Sequence, residues 1–223
     1  MREVFHEQLD RIFVDLATIC RRVEVAVQEA TRALLTGDAA VAEAVITGDA
    51  EIDRQRELVE DAAFLLLSLQ APVASDLRTV VAALRMAGDL ERMGDLSVHV
   101  AKVARLRVPH VAVPGPLRPV LERMAEVAEE MVHLVADVIA GRDLEAAREL
   151  ARADEEMDDL RRSTFAEMLS ADWEHGVEAA VDVALLGRYY ERLADHAVSV
   201  ANRVVFVVTG ENPRAVGRRE AAG

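Results

Sequence analysis

The sequence is poor in several things that would decide function quickly. It has one cysteine, Cys20, in 223 residues, so an intrachain disulfide is excluded. Cys20 falls in an apolar helical pattern and reads as core filler. Aromatic residues are 4% of the chain, with six prolines and eleven glycines. So few breakers leave room for long uninterrupted helices. Basic residues are also short: 26 Lys and Arg against 40 Asp and Glu give a net charge of −14. That balance argues against holding a phosphate backbone or an anionic membrane surface by simple electrostatics. No stretch approaches the ~18 consecutive apolar residues of a membrane span, and the N-terminal residues lack a signal-peptide apolar core. The location expected by default is cytoplasmic, without membrane insertion. A glycine-rich phosphate loop, Cys-x-x-Cys, His-Glu-x-x-His and a readable Ser-His-Asp arrangement are all missing. With no base, nucleophile or substrate pocket to point to, the chain is not expected to be an enzyme.

What is present is helical periodicity. Leu9, Ile12, Phe13, Leu16, Ile19, Val23, Val27 and Leu34 recur at three- and four-residue steps and predict a helix from Glu3 to Thr36. Gly37 is its stop and Asp38 the cap of a second helix reaching Gln70. Pro72 ends that helix or begins the next. Ser75 or Asp76 should cap a third, ending near Arg107. The stretch from Pro109 to Pro116 holds three of the six prolines and reads as a linker. A fourth helix is expected from Leu117 to Ala140, stopped by Gly141, and a fifth from Asp143 to Leu169. The sixth runs to Val208, with Gly210 as its stop. The expected division is 1–108 and 117–210 for two bundles, 109–116 for the linker and 211–223 for a disordered tail.

The second half repeats the first. Glu91-Arg92-Met93-Gly94-Asp95 returns as Glu191-Arg192-Leu193-Ala194-Asp195 at an offset of 100. Asp38, Asp49, Asp53 and Arg56 return as Asp143, Asp154, Asp158 and Arg161 at an offset of 105. The difference of five places a deletion in the turn where Gln70 to Ala74 stand in the first half. Two fused three-helix units, packed as antiparallel bundles in an all-α fold, account for the pattern.

Each Glu and Asp of the repeated motif stands at i and i+4, on one helical face. That face is otherwise apolar: Leu77, Val80, Leu84, Gly88 and Val98 in one copy, Val177, Ala180, Ala184 and Val198 in the other. Carboxylates in an apolar stripe are costly to bury unless they are paired, protonated or bound to a cation. Asp49 with Asp53, and Asp154 with Asp158, form further i,i+4 pairs on the neighbouring helices. All four carboxylates of each half can then meet at one end of its bundle. Asp-x-x-x-Asp opposite Glu-x-x-x-Asp suits iron, manganese, magnesium or zinc. Solvated acids, or an acid–arginine network through Arg56, Arg92, Arg161 and Arg192, are the plainer reading. The duplication favours metal. Glu3-x-x-His6 and Glu130-x-x-His133 have the spacing of di-iron bundles, but so short a pattern is more simply structural. His196 and His99 can reach the motif as ligands or supporting contacts, and Trp173 reads as a packing lid.

The chain resembles the PhoU family of bacterial phosphate-uptake regulators. The resemblance rests on Asp49 to Asp53, on Leu69 to Arg78, on Asp89 to Asp95, on Glu191 to His196 and on the duplicated layout. It implies two three-helix bundles carrying metal clusters, iron or zinc, on the carboxylate motifs. One site would be Asp49, Asp53, Glu91 and Asp95, the other Asp154, Asp158, Glu191 and Asp195. It implies a negative regulator of the phosphate-starvation response, acting as an adaptor between a phosphate ABC transporter, through its ATPase subunit, and a sensor histidine kinase. A homodimer is left open, and nucleic acid is not an expected partner. Ser97-Val98-His99 and Val198-Ser199 depart from the Asn-containing segment typical after the motif. The competing readings are a ferritin-like di-iron oxidase or iron-storage bundle, and a metal-free helical interaction protein.

Overall fold

The structure is a computed structural model and describes residues 2–211; the expected tail, apart from Glu211, lies outside them. Six helices follow in order: α1 Arg2–Thr36, α2 Ala39–Gln70, α3 Ala74–Arg107, α4 Arg118–Gly141, α5 Leu144–Met168 and α6 Gly176–Thr209. A single 3-10 turn, Gly115–Leu117, leads into α4. The longest helices span about 50 Å at ~1.5 Å per residue. No strand occurs among the described residues.

Local sequence explains most helix ends. Asp38 accepts from the amides of Ala40 and Val41 at 3.0 and 3.1 Å, and Asp143 from those of Glu145 and Ala146 at 2.8 and 3.3 Å. Each satisfies donors that a helix start leaves orphaned. Gly37 and Gly210 adopt φ of 69° and 79°, the left-handed stop that costs glycine least. Three expectations fail here. The N-cap position of α3 is Val73, without a side-chain cap bond. Asp76 instead falls in the first turn, where its charge meets the positive end of the helix dipole. Arg142, not Gly141, takes the left-handed position after α4. The five-residue deficit lies not in the turn but in α5. That helix has 25 residues against 32 in α2, while its following turn, 169–175, is longer than the 71–73 turn. Trp173 closes that turn by donating Nε1–H to the Gly176 carbonyl at 2.9 Å.

The two bundles do not sit apart on a linker. α1 and α3 of the first pack on α4 and α6 of the second, and α2 and α5 flank this central layer. One contiguous core runs through both, and each fully buried Leu, Ile or Met in it is worth about 1.5–3 kcal/mol. The proline-rich stretch is docked as well, with Ala112 and Val113 buried. Cys20 is buried and its thiol meets the Val132 carbonyl at 3.3 Å. Tyr190, also buried, shares a 2.9 Å hydrogen bond with Thr31 across the bundles.

α3 and α6 run antiparallel. Arg78, early in α3, donates to the Val207 carbonyl late in α6 at 3.2 Å. Arg107, the last residue of α3, grips the buried Asp182 near the start of α6 through two nitrogens. A residue of α3 faces its own repeat counterpart near Met93 and Leu193, so the approximate two-fold axis passes through the repeated motif.

Candidate functional site

The repeated carboxylates lie on the flanks of the core, not inside it. Glu91 and Asp95 are 21% and 35% exposed, and Asp158 and Asp195 are open to solvent. The stripes drawn from the sequence are only partly core. Val80 and Val98 are buried, whereas Leu77 is exposed and Val177 is 81% exposed. A face chosen by 100° steps is wider than the line of contact in a three-helix bundle.

The helices nevertheless bring each quartet together. Asp49 of α2 packs on Gly94 of α3, where a Cβ would stand 3.2 Å from its Oδ1. The site lies about three turns from the start of α2, inside the bundle rather than at its tip. Burial pushes the Asp49 carboxyl up to about 6, helped by Asp53, Asp95 and Glu91. In the second bundle burial, then Asp195, Asp158 and Glu191, push Asp154 up to about 6. Glu91 and Asp195 are raised too, each first by burial and then by the other acid of its own pair. Mutual repulsion of this kind marks a donor set that a hard cation would relieve.

Three of the eight acids, Glu91, Asp95 and Glu191, face arginine. Arg92 holds Asp95 at 2.8 Å and stands 3.5 Å from Glu91. In the second bundle Arg161 donates to Glu191 at 3.1 Å, and Arg188 holds the other oxygen of the same carboxylate. Among the described residues no three His, Cys, Asp or Glu side chains are drawn around a common point. The donor set and the room left at Gly94 fit a cation; the acids would have to turn from their arginines to close on it.

The histidines take other places. His196, expected near Asp195, meets Asp89 at 3.0 Å, and Arg203 donates to the same carboxylate at 2.8 Å. These bonds hold Asp89 below the usual carboxylate range, against its burial, the largest single influence. His99 stacks on Tyr189 with ring centroids 5.2 Å apart. His133 is 60% exposed and meets Glu24 at 3.0 Å, while Glu130 faces Arg123 at 3.3 Å. His6 is half exposed and lies 3.8 Å from Asp76. Neither Glu-x-x-His pair faces a common interior, as a ferritin-like di-iron site requires. The residues that sequence reading passed over are Arg188, Tyr189 and Arg203. Their signal would have been knowledge that α3 meets α6, which no local pattern carries.

The fold and its internal duplication match known proteins. The PhoU domain family model matches twice, over residues 16–104 and 121–204. The chain belongs to the PhoU family. It is 45% identical over 213 residues to the phosphate-specific transport system accessory protein PhoU homolog 2 of Mycobacterium tuberculosis, covering 96% of this chain and 100% of that one. PhoU homolog 1 of Mycobacterium leprae is 44% identical, with 96% of each chain covered. The crystal structure of the PhoU regulatory protein from Streptococcus pneumoniae superposes with a TM-score of 0.83 at 24% identity, over 93% of this chain and 98% of that one. PhoU from Pseudomonas aeruginosa gives the same score and identity, over 93% and 100%. Both matched PhoU segments contain one acidic quartet. Among the described residues no helix is long and apolar enough to cross a membrane.

Proposed function

We propose that this PhoU chain is a non-enzymatic, cytoplasmic regulator that restrains phosphate uptake and the phosphate-starvation response. It does so as an adaptor between a phosphate ABC transporter, at its ATPase subunit, and a sensor histidine kinase. The observation that carries this reading is the full-length match to proteins named phosphate-specific transport system accessory proteins. The architecture supports it: long helices present broad faces, and the acidic quartets are more suited to holding a cation than to turning over a substrate.

Asp49, Asp53, Glu91 and Asp95 would hold one metal ion or cluster, and Asp154, Asp158, Glu191 and Asp195 the other, iron or zinc as the family resemblance implies. A bound cation neutralises the repelling carboxylates and ties α2 to α3, or α5 to α6. The chain's own residues set the cost of loading: Arg92, Arg161 and Arg188 must release the acids they now hold. The test is a phosphate-starvation reporter in a deletion strain grown at high phosphate. Derepression on deletion, reversed by the wild type but not by Glu91→Ala/Asp95→Ala, is the expected result. A reporter that stays silent after deletion of this gene and of any redundant homologue contradicts the regulatory reading.

A further inference from the structure

Where α3 crosses α6, beside the approximate two-fold axis, a cleft of about 220 Å³ opens between the bundles. Arg92, Arg188, Arg192, His99, His196 and Tyr189 line it, with Asp95 its one carboxylate. Three guanidinium groups meeting in one cleft is unexpected in a chain of net charge −14. Arg92 is engaged by Asp95 and Arg188 by Glu191. Arg192 makes no hydrogen bond or ion pair among the described residues.

The cleft breaks the internal symmetry. On the other side of the axis the counterpart positions are Gly88, Asp89 and Ser199, in place of Arg188, Tyr189 and His99. There Asp89 neutralises His196 and Arg203 directly. On this side no acid stands in that place, and the stacked rings of His99 and Tyr189 form a wall instead. The same crossing is therefore self-neutralised by Asp89 on one side, while on the other Arg192 is left without an acid.

We propose that this cleft binds a small tetrahedral oxyanion, of which inorganic phosphate is the representative. A guanidinium offers paired N–H donors matched to two oxygens of such an anion. Arg192 supplies that fork, Arg188 and Arg92 add charge, and the His99 and His196 rings bound the space. The volume admits an anion with some water. An anion here touches α3 and α6 at once, so it would bias how the two bundles sit together. The inference stands apart from the metal reading and would hold in protein without metal.

The experiment is calorimetric titration of inorganic phosphate into the full chain in low-chloride buffer, as purified and after chelator treatment. One phosphate per chain is expected, with Kd on the order of 1 mM or tighter, retained after chelation and competed by sulfate. Arg192→Gln should weaken binding by about tenfold, the equivalent of about 1.4 kcal/mol. Arg188→Gln/Arg192→Gln should abolish it, with helical circular dichroism preserved because both side chains are surface-accessible. Arg162→Gln, on the exposed face of α5, should leave it unchanged. No saturable binding overturns the proposal. So does binding that survives the double substitution, binding weakened equally by Arg162→Gln, or binding lost on chelation and restored by metal, which would place the anion on the metal.

Discussion

The two bundles carry the same acidic quartet and use it differently. Glu91 accepts no hydrogen bond from an arginine, Arg92 standing 3.5 Å away; Glu191 is held by Arg161 and Arg188 together. Two replacements between the repeats explain the difference. Glu60 of the first bundle engages Arg56 at 2.6 Å and keeps that guanidinium on its own helix. Its counterpart is Phe165, so Arg161 lies over the Phe165 ring, 5.3 Å from its centroid, and sends its charge across to Glu191. Arg188 has only Gly88 opposite it in the repeat. A third replacement acts on space: Gly94 makes room for Asp49, whereas Ala194 fills the equivalent position. A duplicated motif can therefore leave its glutamate free in one copy and tie it down in the other. The residues that decide this lie outside the motif or at its least conspicuous position.

The largest expected effect comes from closing the space at Gly94. A Cβ there meets Asp49 Oδ1 and Ile52 Cδ1, both at 3.2 Å. Gly94→Val should destabilise the protein by about 2–3 kcal/mol in urea unfolding. The reverse exchange, Ala194→Gly, removes no clash; the helix-propensity difference and the loss of one buried methyl together should cost about 1–2 kcal/mol. Equal losses at both positions would erase this contrast between the bundles.

Next in size is a pH effect shared by both bundles. Asp49 and Asp154 titrate near 6 in the folded chain, above the ordinary carboxylate value of about 4. The metal-free folded state then binds more protons than the unfolded state between these values. Stability should fall as pH rises from about 4 to 6 and level off above that. Asp89 acts in the opposite sense: its lowered value contributes stability that is lost only at more acid pH. Asp49→Asn should flatten part of the slope and stabilise metal-free protein at pH 7 by about 1 kcal/mol, solvent screening having reduced the effect. Thermal unfolding in chelator between pH 4.5 and 7 reads both. A slope unchanged by the substitution would mean that Asp49 does not feel its neighbours.

The smallest effect is aimed at the cause of the asymmetry. Phe165→Glu recreates the first bundle's i,i+4 arrangement and should draw Arg161 away from Glu191. The stability change should be about 0.5 kcal/mol or less, but the Arg161 guanidinium signals should shift in arginine-resolved NMR as the side chain leaves Glu191. Unmoved Arg161 signals would show that Phe165 does not direct that side chain.

Much of this was legible in sequence. The six helices, the Asp38 and Asp143 caps and the duplication follow from periodicity and from two fixed offsets. So does the convergence of Asp49 on the Glu91–Asp95 turn, because an antiparallel hairpin fixes which turns meet. The side-by-side packing was not legible, since each helix pattern reports its own buried width and not which partner covers it. The course of Arg161 depended on Phe165 one turn away, and that of His196 on Asp89 in the other bundle. The deletion was misplaced for a related reason: numbering offsets locate missing residues only between matched positions, and Trp173 lets the turn lengthen while α5 shortens.

If the two acidic quartets hold metal as proposed, they are unequal sites, the first the easier to load. Zinc titration of chelator-treated protein, read by equilibrium dialysis, tests it with Asp49→Asn/Glu91→Gln and Asp154→Asn/Glu191→Gln. Two classes of site are expected, separated by about tenfold or more in affinity, or about 1.4 kcal/mol. The first substitution pair should remove the tighter class and the second pair the weaker. Loss of the tighter class on changing Asp154 and Glu191, or no zinc uptake by the wild type, would contradict the account.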